Sequence, residues 1–301
     1  MRRGGEARLF GVFGDPVDHS LSPVMQNAGF AAAGLPHLYL RYRVPVGRLG
    51  TALREARALH MGGLNLTVPL KEAVVPLLDA VTPEAERAGA VNTIVFRRGG
   101  ARLVGDNTDG RGFLAAIAGR VRLRGATAVV IGAGGSARAV ATALVGAGCV
   151  RLVLANRSPA RAEALAERLV RQGALAVSVV PLSALARGSV LHDAALVVNT
   201  TPLGLAGRAL AVRFAATPRR CLHVDLVYGR TTAFLRGAAR AGRPTLDGAA
   251  MLLQQGALAF EAWTGRPAPR AAMARALRAA GLSLTEPRSA ASVSARRPPR
   301  S

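Results

Sequence analysis

The sequence predicts an α/β protein of two domains, in which an N-terminal open α/β domain precedes a Rossmann-like domain and C-terminal helices return to the first domain. Short apolar strands alternate with helices along the chain, a rhythm that is typical of parallel sheets with right-handed crossovers. A glycine-rich turn, residues 132–137, also lies between an apolar strand and a helix. The 301 residues, of which 50% are hydrophobic, suffice for two domains of ordinary size.

The N-terminal domain is predicted to span residues 1–107. Strands and helices alternate in it, and a hairpin follows them. The predicted strands are Leu9–Phe13, Leu38–Val44 and Gly63–Leu66, the helices are Ser22–Ala33 and Gly47–Ala58, and the hairpin pairs Val91–Phe96 with Arg102–Val104. Gly99 and Gly100 mark the turn of this hairpin.

The second domain is predicted to span residues 108–247. It begins with a helix near Asp109–Ala118, and its strands are Ala126–Ile131, Val150–Ala155, Leu196–Asn199 and Leu222–Leu226, with helices Ser136–Val145 and Pro159–Gln172. Residues 248–286 hold two closing helices, Gly248–Thr264 and Arg270–Ala280, whose periodic apolar residues predict packing on the first domain. Residues 287–301 are rich in Ser, Arg and Pro and are predicted to form a disordered tail.

The net charge of +23 raises the question of nucleic-acid binding. The basic residues are spread along the whole chain, no nucleic-acid-binding motif accompanies them, and aromatic residues make up only 4%. No nucleic-acid partner is therefore expected. Attraction of anionic small molecules and a plain bias toward arginine remain as the two explanations of the charge.

Composition also excludes several other classes of protein. No apolar run reaches membrane-spanning length and the basic start lacks the apolar core of a signal peptide, so a cytoplasmic protein without a membrane partner is expected. Cys149 and Cys221 lie in apolar, strand-like segments without CxxC spacing, which predicts neither a disulfide framework nor a zinc site. The five histidines are scattered without HExxH spacing, and no metal is expected.

Lysine usage singles out one residue. Among the 40 basic residues only Lys71 is a lysine. Arginine can replace lysine where charge alone matters, but guanidinium stays protonated and cannot release a proton near neutral pH. Lys71 follows Pro69, a plausible start of a helix, and the positive end of a helix disfavours a further positive charge. Lys71 is therefore a candidate general acid and base, although survival by chance at a surface site is the alternative.

The turn at residues 132–137 predicts a dinucleotide cofactor. The segment Gly132-Ala-Gly-Gly-Ser-Ala137 follows a strand and opens a helix, which is the context that the GxGxxG/A pattern requires. An NAD enzyme usually carries an acid at the end of the next strand, but here Asn156-Arg157-Ser158 stands there, with Arg161 one helical turn on. Two guanidiniums suit a 2′-phosphate, which predicts NADP(H); two solvated arginines are the alternative.

Four polar clusters predict a second, smaller site. They are His19-Ser20-Leu-Ser22-Pro23, Asn65-Leu-Thr67-Val-Pro69-Leu-Lys71, Gly89-Ala-Val-Asn92-Thr93 and Gly105-Asp-Asn107-Thr108-Asp109-Gly110. Ser22 is predicted as the N-cap of its helix with Pro23 at the first helical position. The Ser20 and Ser22 hydroxyls suit a carboxylate, and the alternative is that Ser22 only caps its helix. Asp109 is predicted to orient Lys71, with capping and turn formation as the alternative for the Asp and Asn residues.

These clusters, in this order and followed by GxGGxxR, resemble the shikimate dehydrogenase family from Phe10 to about Gly265. Further matches are Asn156-Arg157-Ser158, Asn199-Thr-Thr-Pro-Leu-Gly204, Asp225-Leu-Val-Tyr228, and Asp247-Gly248 leading to Met251-Leu-x-x-Gln255. The segment after Tyr228, Gly-Arg-Thr-Thr, is shorter than in the family and lacks its usual Pro.

The resemblance implies a role for each matching position. It implies a catalytic pair, Lys71 and Asp109, which also contact the substrate. Further substrate-binding residues are Ser20, Ser22, Asn65, Thr67, Asn92, Tyr228 and Gln255. Cofactor-binding residues are Gly132, Ala133, Gly134, Gly135, Ser136, Ala137, Arg138, Asn156, Arg157, Ser158, Arg161, Thr200, Leu226 and Gly248.

The implied activity is the reversible NADPH-dependent reduction of 3-dehydroshikimate to shikimate in chorismate biosynthesis, carried out by a monomer or a homodimer. A quinate/shikimate dehydrogenase and an amino-shikimate dehydrogenase of the same fold are the near alternatives. A non-catalytic protein that binds NADP or nucleic acid is the distant one. The sequence does not decide between shikimate and quinate, nor how strictly NADP is preferred over NAD, nor what the tail does.

Overall fold

Six strands and four helices make up the first sheet and its surroundings in a computed structural model, which describes residues 6–174, 176–204, 207 and 209–284. The strands are β1 (Leu9–Gly14), β2 (Leu38–Arg43), β3 (Gly63–Leu66), β4 (Ala80–Val81), β5 (Thr93–Arg97) and β6 (Arg102–Asp106). The helices are α1 (Ser22–Ala32), α2 (Leu49–Ala58), α3 (Leu70–Ala73) and α4 (Pro83–Ala88). The strand order is β2-β1-β3-β5-β6-β4.

The first sheet combines the two predicted patterns. β1 pairs parallel with β2 and with β3, as the alternation of strands and helices predicts. β5 and β6 form the predicted hairpin, so that β5 runs antiparallel to both β3 and β6. The sequence analysis missed β4 and α4, because two strand residues and six helical residues are too few to show a period.

The second sheet holds six strands that all pair parallel in the order β12-β11-β10-β7-β8-β9. They are β7 (Thr127–Ile131), β8 (Arg151–Asn156), β9 (Ala176–Pro181), β10 (Ala194–Asn199), β11 (Leu222–Asp225) and β12 (Thr245–Leu246). This is the strand order of the dinucleotide-binding fold, in which the chain reverses direction across the sheet beside the first strand. The Rossmann-like prediction is therefore confirmed, although β9 and β12, at the two sheet edges, were not predicted.

Seven helices accompany the second sheet and close the fold within the described residues. They are α5 (Asp109–Ile117), α6 (Gly135–Gly146), α7 (Pro159–Arg171), α8 (Ser183–Arg187), α9 (Ala233–Arg240), α10 (Ala249–Thr264) and α11 (Arg270–Ala279). α8 and α9 are additions to the predicted set. Phe260 of α10 and Met273 of α11 are fully buried in one apolar cluster with Phe10 and Phe30 of the first half, which confirms that the closing helices return to the first sheet.

The two sheets occupy separate stretches of the chain. All strands of the first sheet end by residue 106, and those of the second lie between residues 127 and 246. The exact domain boundaries at residues 107 and 247 stay a prediction. The predicted disordered tail, residues 287–301, lies outside the described residues.

Candidate active site

A buried ion pair joins the first half of the molecule to the second. Lys71 Nζ donates a hydrogen bond to Asp109 Oδ2 at 2.5 Å and another to Ser136 Oγ, on α6, at 3.1 Å. The Lys71 side chain is only 11% exposed and that of Asp109 only 5%, so bulk water has little access to the pair. Such a lysine can exchange a proton with a molecule bound beside it, while the carboxylate holds the amine in place.

Strand direction explains why these side chains meet. β3 and β6 both pair antiparallel with β5, so they run in the same direction and end at the same edge of the sheet. Lys71 follows β3 and Asp109 follows β6, while Asn92 immediately precedes β5, which starts at that edge. The three side chains therefore converge at the kind of edge where open α/β sheets bind ligands.

Asn92 orients the carboxylate of the pair. Its Nδ2 donates to Asp109 Oδ1 at 2.7 Å and to Thr108 Oγ1 at 2.9 Å, and its Oδ1 accepts the Thr108 N–H at 2.9 Å. Asn92 is only 2% exposed, and a buried amide with so many partners has few alternative conformations. Because both oxygens of Asp109 have partners, the carboxylate stays turned toward Lys71.

A cavity of about 160 Å³ opens beside the pair, a volume that suits one small molecule. Its lining includes all nine residues that the sequence selects for substrate: Ser20, Ser22, Asn65, Thr67, Lys71, Asn92, Asp109, Tyr228 and Gln255. Six further lining residues received no role in the sequence analysis, although the last four lie within its motifs: Val12, Val17, His19, Leu66, Met251 and Leu252. Five of these are apolar, and their pattern does not differ from that of ordinary core residues.

The start of α1 differs from the prediction. The sequence predicts Ser22 as the N-cap, but Ser22 is itself helical and Leu21 is the N-cap, without a side-chain hydrogen bond. The Ser20 hydroxyl accepts the Ser22 N–H at 3.3 Å and so satisfies an amide at the helix start. Ser22 itself lines the small cavity. The N-cap prediction for Ser22 was wrong because the neighbouring Ser20 supplies that acceptor.

Asn65 has mostly protein partners. Its Nδ2 donates to the Asn92 carbonyl at 3.0 Å and to Thr93 Oγ1 at 3.1 Å, and its Oδ1 accepts a hydrogen bond from Tyr39 at 2.8 Å. Both amide hydrogens are thus in use, and only a lone pair of Oδ1 is left for a ligand. Tyr39 is fully buried, which raises the pKa of its phenol well above the usual value. It acts as a neutral donor that no sequence motif marks.

Asp225 fixes the segment that carries Tyr228. The Asp225 side chain accepts hydrogen bonds from Thr232 Oγ1 at 2.6 Å and from the Val227 N–H at 3.1 Å. Burial raises the pKa of this carboxyl, and the hydrogen bonds oppose that rise. The loop is thereby held over the small cavity, where the Tyr228 hydroxyl accepts the Leu21 N–H at 3.4 Å. Tyr228 thus contacts the start of α1.

A second cavity, of about 620 Å³, adjoins the first along the glycine-rich turn. Lys71 and Ser136 line both cavities. Gly132 has a φ of +112°, and a Cβ there would lie 2.4 Å from Thr200 Oγ1, whereas a Cβ on Gly134 would meet nothing within 4 Å. Gly132 is therefore required by the turn itself, while Gly134 leaves open space over its backbone for a ligand. The predicted residues that line this cavity are Gly132, Ala133, Gly134, Gly135, Ser136, Asn156, Arg157, Arg161 and Thr200.

The other predicted cofactor residues lie elsewhere. Ala137 is fully buried against the sheet, in the packing role that the motif gives it. Arg138 Nε lies 3.1 Å from Glu72 Oε2, and the Ser158 carbonyl accepts the Asn156 amide at 2.8 Å. Leu226 and Gly248 line the smaller cavity instead. These two residues can therefore contact a cofactor only where part of it enters the smaller cavity.

Two further observations concern partners. Among the described residues, no group of three or more His, Cys, Asp or Glu side chains is placed to hold a metal ion. No helix in the described part of the chain has the length and apolar character that crossing a membrane requires.

Family models match the chain in three stretches. The shikimate dehydrogenase substrate binding domain matches residues 12–94, shikimate / quinate 5-dehydrogenase matches residues 114–208, and the shikimate 5′-dehydrogenase C-terminal domain matches residues 248–278. A shikimate dehydrogenase (NADP(+)) of Moorella thermoacetica is 49% identical over 278 residues, which cover 90% of this chain and 93% of that protein.

Solved structures agree with these matches. The crystal structure of shikimate 5-dehydrogenase from Thermus thermophilus in complex with NADP(H) and shikimate superposes with a TM-score of 0.79 at 42% identity, covering 91% of this chain and 99% of that one. A quinate dehydrogenase from Corynebacterium glutamicum in complex with NAD has a TM-score of 0.79 at 34% identity, with 91% and 100% covered. These matches confirm the resemblance that the four motifs predict: the chain belongs to the shikimate dehydrogenase family.

Proposed function

We propose that this protein is an NADP(H)-dependent shikimate dehydrogenase, which catalyses the reversible reduction of 3-dehydroshikimate to shikimate in chorismate and aromatic amino acid biosynthesis. One observation carries the proposal. The buried Lys71–Asp109 pair lies where a small polar cavity meets a larger one walled by a glycine-rich turn. A hydride transfer between two bound molecules needs this arrangement, because the proton donor must reach the carbonyl that is reduced.

Substrate binding is assigned to the smaller cavity. The Ser20 and Ser22 hydroxyls, near Tyr228, bind the carboxylate, since they lie at the start of α1 and line the cavity together. The ring hydroxyls are bound by Thr67, Asn92 and Gln255, and by Asn65 through its remaining lone pair. Lys71 and Asp109 contact the hydroxyl that is formed or oxidised.

The chemistry of the pair follows from its geometry. In the direction of reduction the Lys71 ammonium donates a proton to the oxygen of the forming alcohol, and in the direction of oxidation the amine accepts it. Asp109 holds the amine and the substrate hydroxyl in place, and burial of the pair keeps bulk water from exchanging the proton. When bound, NADPH supplies the hydride.

The larger cavity fits the cofactor that this chemistry needs. Backbone without a Cβ lies open at Gly134, where a pyrophosphate can approach the start of α6. Arg157 and Arg161 line the same cavity, just after β8, where an acid would favour the ribose hydroxyl of NAD. Asn156 and Ser158 are assigned, with these arginines, to the adenosine end of the cofactor. Leu226 and Gly248 are assigned to its nicotinamide end. Arg138 is assigned to the pyrophosphate.

We further propose that residues 1–107 form the substrate domain and residues 108–247 the NADP-binding domain, with residues 248–286 as helices on the former. The protein is proposed to be cytoplasmic, a monomer or homodimer, with neither a nucleic-acid nor a membrane partner.

A quinate/shikimate dehydrogenase is the second candidate, because the quinate dehydrogenase of Corynebacterium glutamicum shares the fold and 34% of the sequence. Absorbance at the NADPH band separates the candidates when the purified protein receives shikimate or quinate with NADP⁺ or NAD⁺. Rapid reduction of NADP⁺ with shikimate alone supports the first proposal. Comparable rates with quinate or NAD⁺ assign the dual-specificity activity, and no reaction with either acid removes both assignments.

A further inference from the structure

Glu72 contributes the only carboxylate among the described side chains that line the larger cavity. It follows Lys71 directly on α3. Glu72 Oε1 accepts a hydrogen bond from Arg161 Nη2 at 2.7 Å, and Glu72 Oε2 lies 3.1 Å from Arg138 Nε. One carboxylate from the first half of the molecule therefore engages two guanidiniums of the second half, one on α7 and one on α6.

A carboxylate at this place opposes the proposed ligand. A phosphate monoester carries a charge of about −1.5 to −2 near neutral pH and offers three strong acceptor oxygens. Among the described residues that line the cavity, Arg157 and Arg161 are the two arginines. A 2′-phosphate that binds Arg161 must therefore take it from Glu72 or lie beside a second negative charge.

We propose that Glu72 competes with the 2′-phosphate of the cofactor for Arg161, and so limits how strongly the site prefers NADP(H) over NAD(H). The inference rests on the proposed function, because it concerns the same cofactor. Glu72 is a specificity-determining residue in this account, and Lys71 next to it keeps its separate role in proton transfer.

Exposure favours competition over a supporting role. The Glu72 side chain is 33% exposed and that of Arg161 56%. Ion pairs that are exposed to this degree fix the arginine only weakly. A phosphate gains more from the guanidinium than a carboxylate does, since it brings more charge and three acceptor oxygens instead of two. Removing the carboxylate charge should therefore make Arg161 more available to the phosphate, and the loss of its weak fixation by Glu72 should matter less.

The test compares two ligands that differ only in the 2′-phosphate, adenosine 2′,5′-bisphosphate and adenosine 5′-monophosphate, by isothermal titration calorimetry on the full-length protein. Glu72→Gln keeps the size and an acceptor oxygen but removes the charge. We expect it to tighten binding of the bisphosphate by about 2- to 10-fold more than binding of the monophosphate, because any effect through Arg138 on the 5′-phosphate is common to both ligands. Glu163→Gln is the matched control, because Glu163 lies on α7 close in sequence to Arg161 but does not line the cavity.

The two hypotheses fail in different ways. If Glu72→Gln binds the bisphosphate as the unmodified protein does, or more weakly, Glu72 does not compete and the inference is overturned. An equal gain in Glu163→Gln also overturns it, because the effect is then general electrostatics. If neither the unmodified protein nor Glu72→Gln distinguishes the two ligands, the proposed NADP preference itself fails, because the site then does not recognise the 2′-phosphate with or without the Glu72 charge.

Discussion

Lys71 Nζ and Asp109 Oδ2 lie 2.5 Å apart although 38 residues separate them in the chain. The contact depends on the topology of the first sheet, because β3 and β6 run in the same direction on either side of β5. It also depends on the second half of the molecule, since Ser136 at the start of α6 accepts a further hydrogen bond from the same ammonium. The proposed proton donor is thus fixed from both sides of the cavity.

The first prediction concerns this ammonium. Lys71→Ala should lower kcat by about 10²- to 10⁴-fold, the usual range for the loss of a general acid or base, with a smaller effect on the KM for shikimate. Lys71→Arg should be similarly impaired, because guanidinium keeps the charge but does not release its proton near neutral pH. Initial rates of NADP⁺ reduction give both values, and near-normal turnover in either variant contradicts the role of Lys71.

The second prediction uses two neighbouring glycines. A Cβ on Gly135 would lie 2.8 Å from the Lys71 Cβ, whereas one on Gly134 would meet nothing within 4 Å. Gly135→Ala should therefore displace Lys71 and lower kcat by about 10- to 100-fold, since small misplacements of reacting groups are costly. Gly134→Ala should mainly raise the KM for NADP⁺, because its methyl group occupies the space proposed for the pyrophosphate.

Thermal unfolding without ligand provides the control for this pair. Gly134 has ordinary extended backbone angles, φ −87° and ψ −174°, so alanine should leave the melting temperature nearly unchanged. The reverse outcome, with kcat reduced in Gly134→Ala and intact in Gly135→Ala, is incompatible with the assigned places of lysine and cofactor.

The third prediction concerns cofactor choice. Arg157→Ala should weaken binding of NADP⁺ by about 10- to 100-fold, the range for the loss of a charge-assisted hydrogen bond, and should change NAD⁺ binding little. Arg171→Ala is a suitable control, because Arg171 is exposed on α7 and pairs only weakly with Glu167, at 3.9 Å. Equal losses for NADP⁺ and NAD⁺ would place Arg157 away from the 2′-phosphate.

The residues of the site were predictable where a reactive or glycine residue stands in a motif that also marks a turn. Lys71, Asp109 and Gly132 could be selected because their neighbours in sequence mark the ends of strands and the starts of helices. Glu72 could not, since an acid in the first turn of a helix is ordinary, and its two arginine partners come from distant segments. Tyr39 could not be selected either, because in sequence it resembles any aromatic core residue of a strand. Only the structure shows that its hydroxyl donates a hydrogen bond to Asn65.

The elements of the fold also differ in how far the sequence predicts them. Most of the long strands and helices follow from local periodicity, so both sheets and the returning helices were predictable, although β9, α8 and α9 were not predicted. β4 and β12 were not, because each has only two residues and exists through pairing with a neighbour. The prediction of Ser22 as the N-cap of α1 was wrong because Ser20 and Ser22 lie close together at the helix start. The sequence does not show which of the two hydroxyls accepts a backbone N–H there.

The last prediction concerns His223, which no part of the proposed function uses. It lies on β11, fully buried, with Nδ1 3.1 Å from the Cys221 carbonyl and its ring against Phe214 and Phe234. Burial lowers the pKa of the imidazole from 6.5 to about 4. Between these values the unfolded chain binds a proton that the folded protein does not, so the free energy of unfolding must fall as the pH falls through this range.

His223→Phe should remove this dependence. Lowering the pH from 7.5 to 5 should reduce the free energy of unfolding by about 2 kcal/mol more in the unmodified protein than in the variant, as follows from the linkage of protons to folding. Urea denaturation at the two pH values measures the difference. His192→Gln, at an exposed position, should keep the dependence of the unmodified protein. Equal pH dependence in His223→Phe and the unmodified protein would mean that His223 takes up its proton in the folded state, and that its buried ring finds a partner or water for the charge.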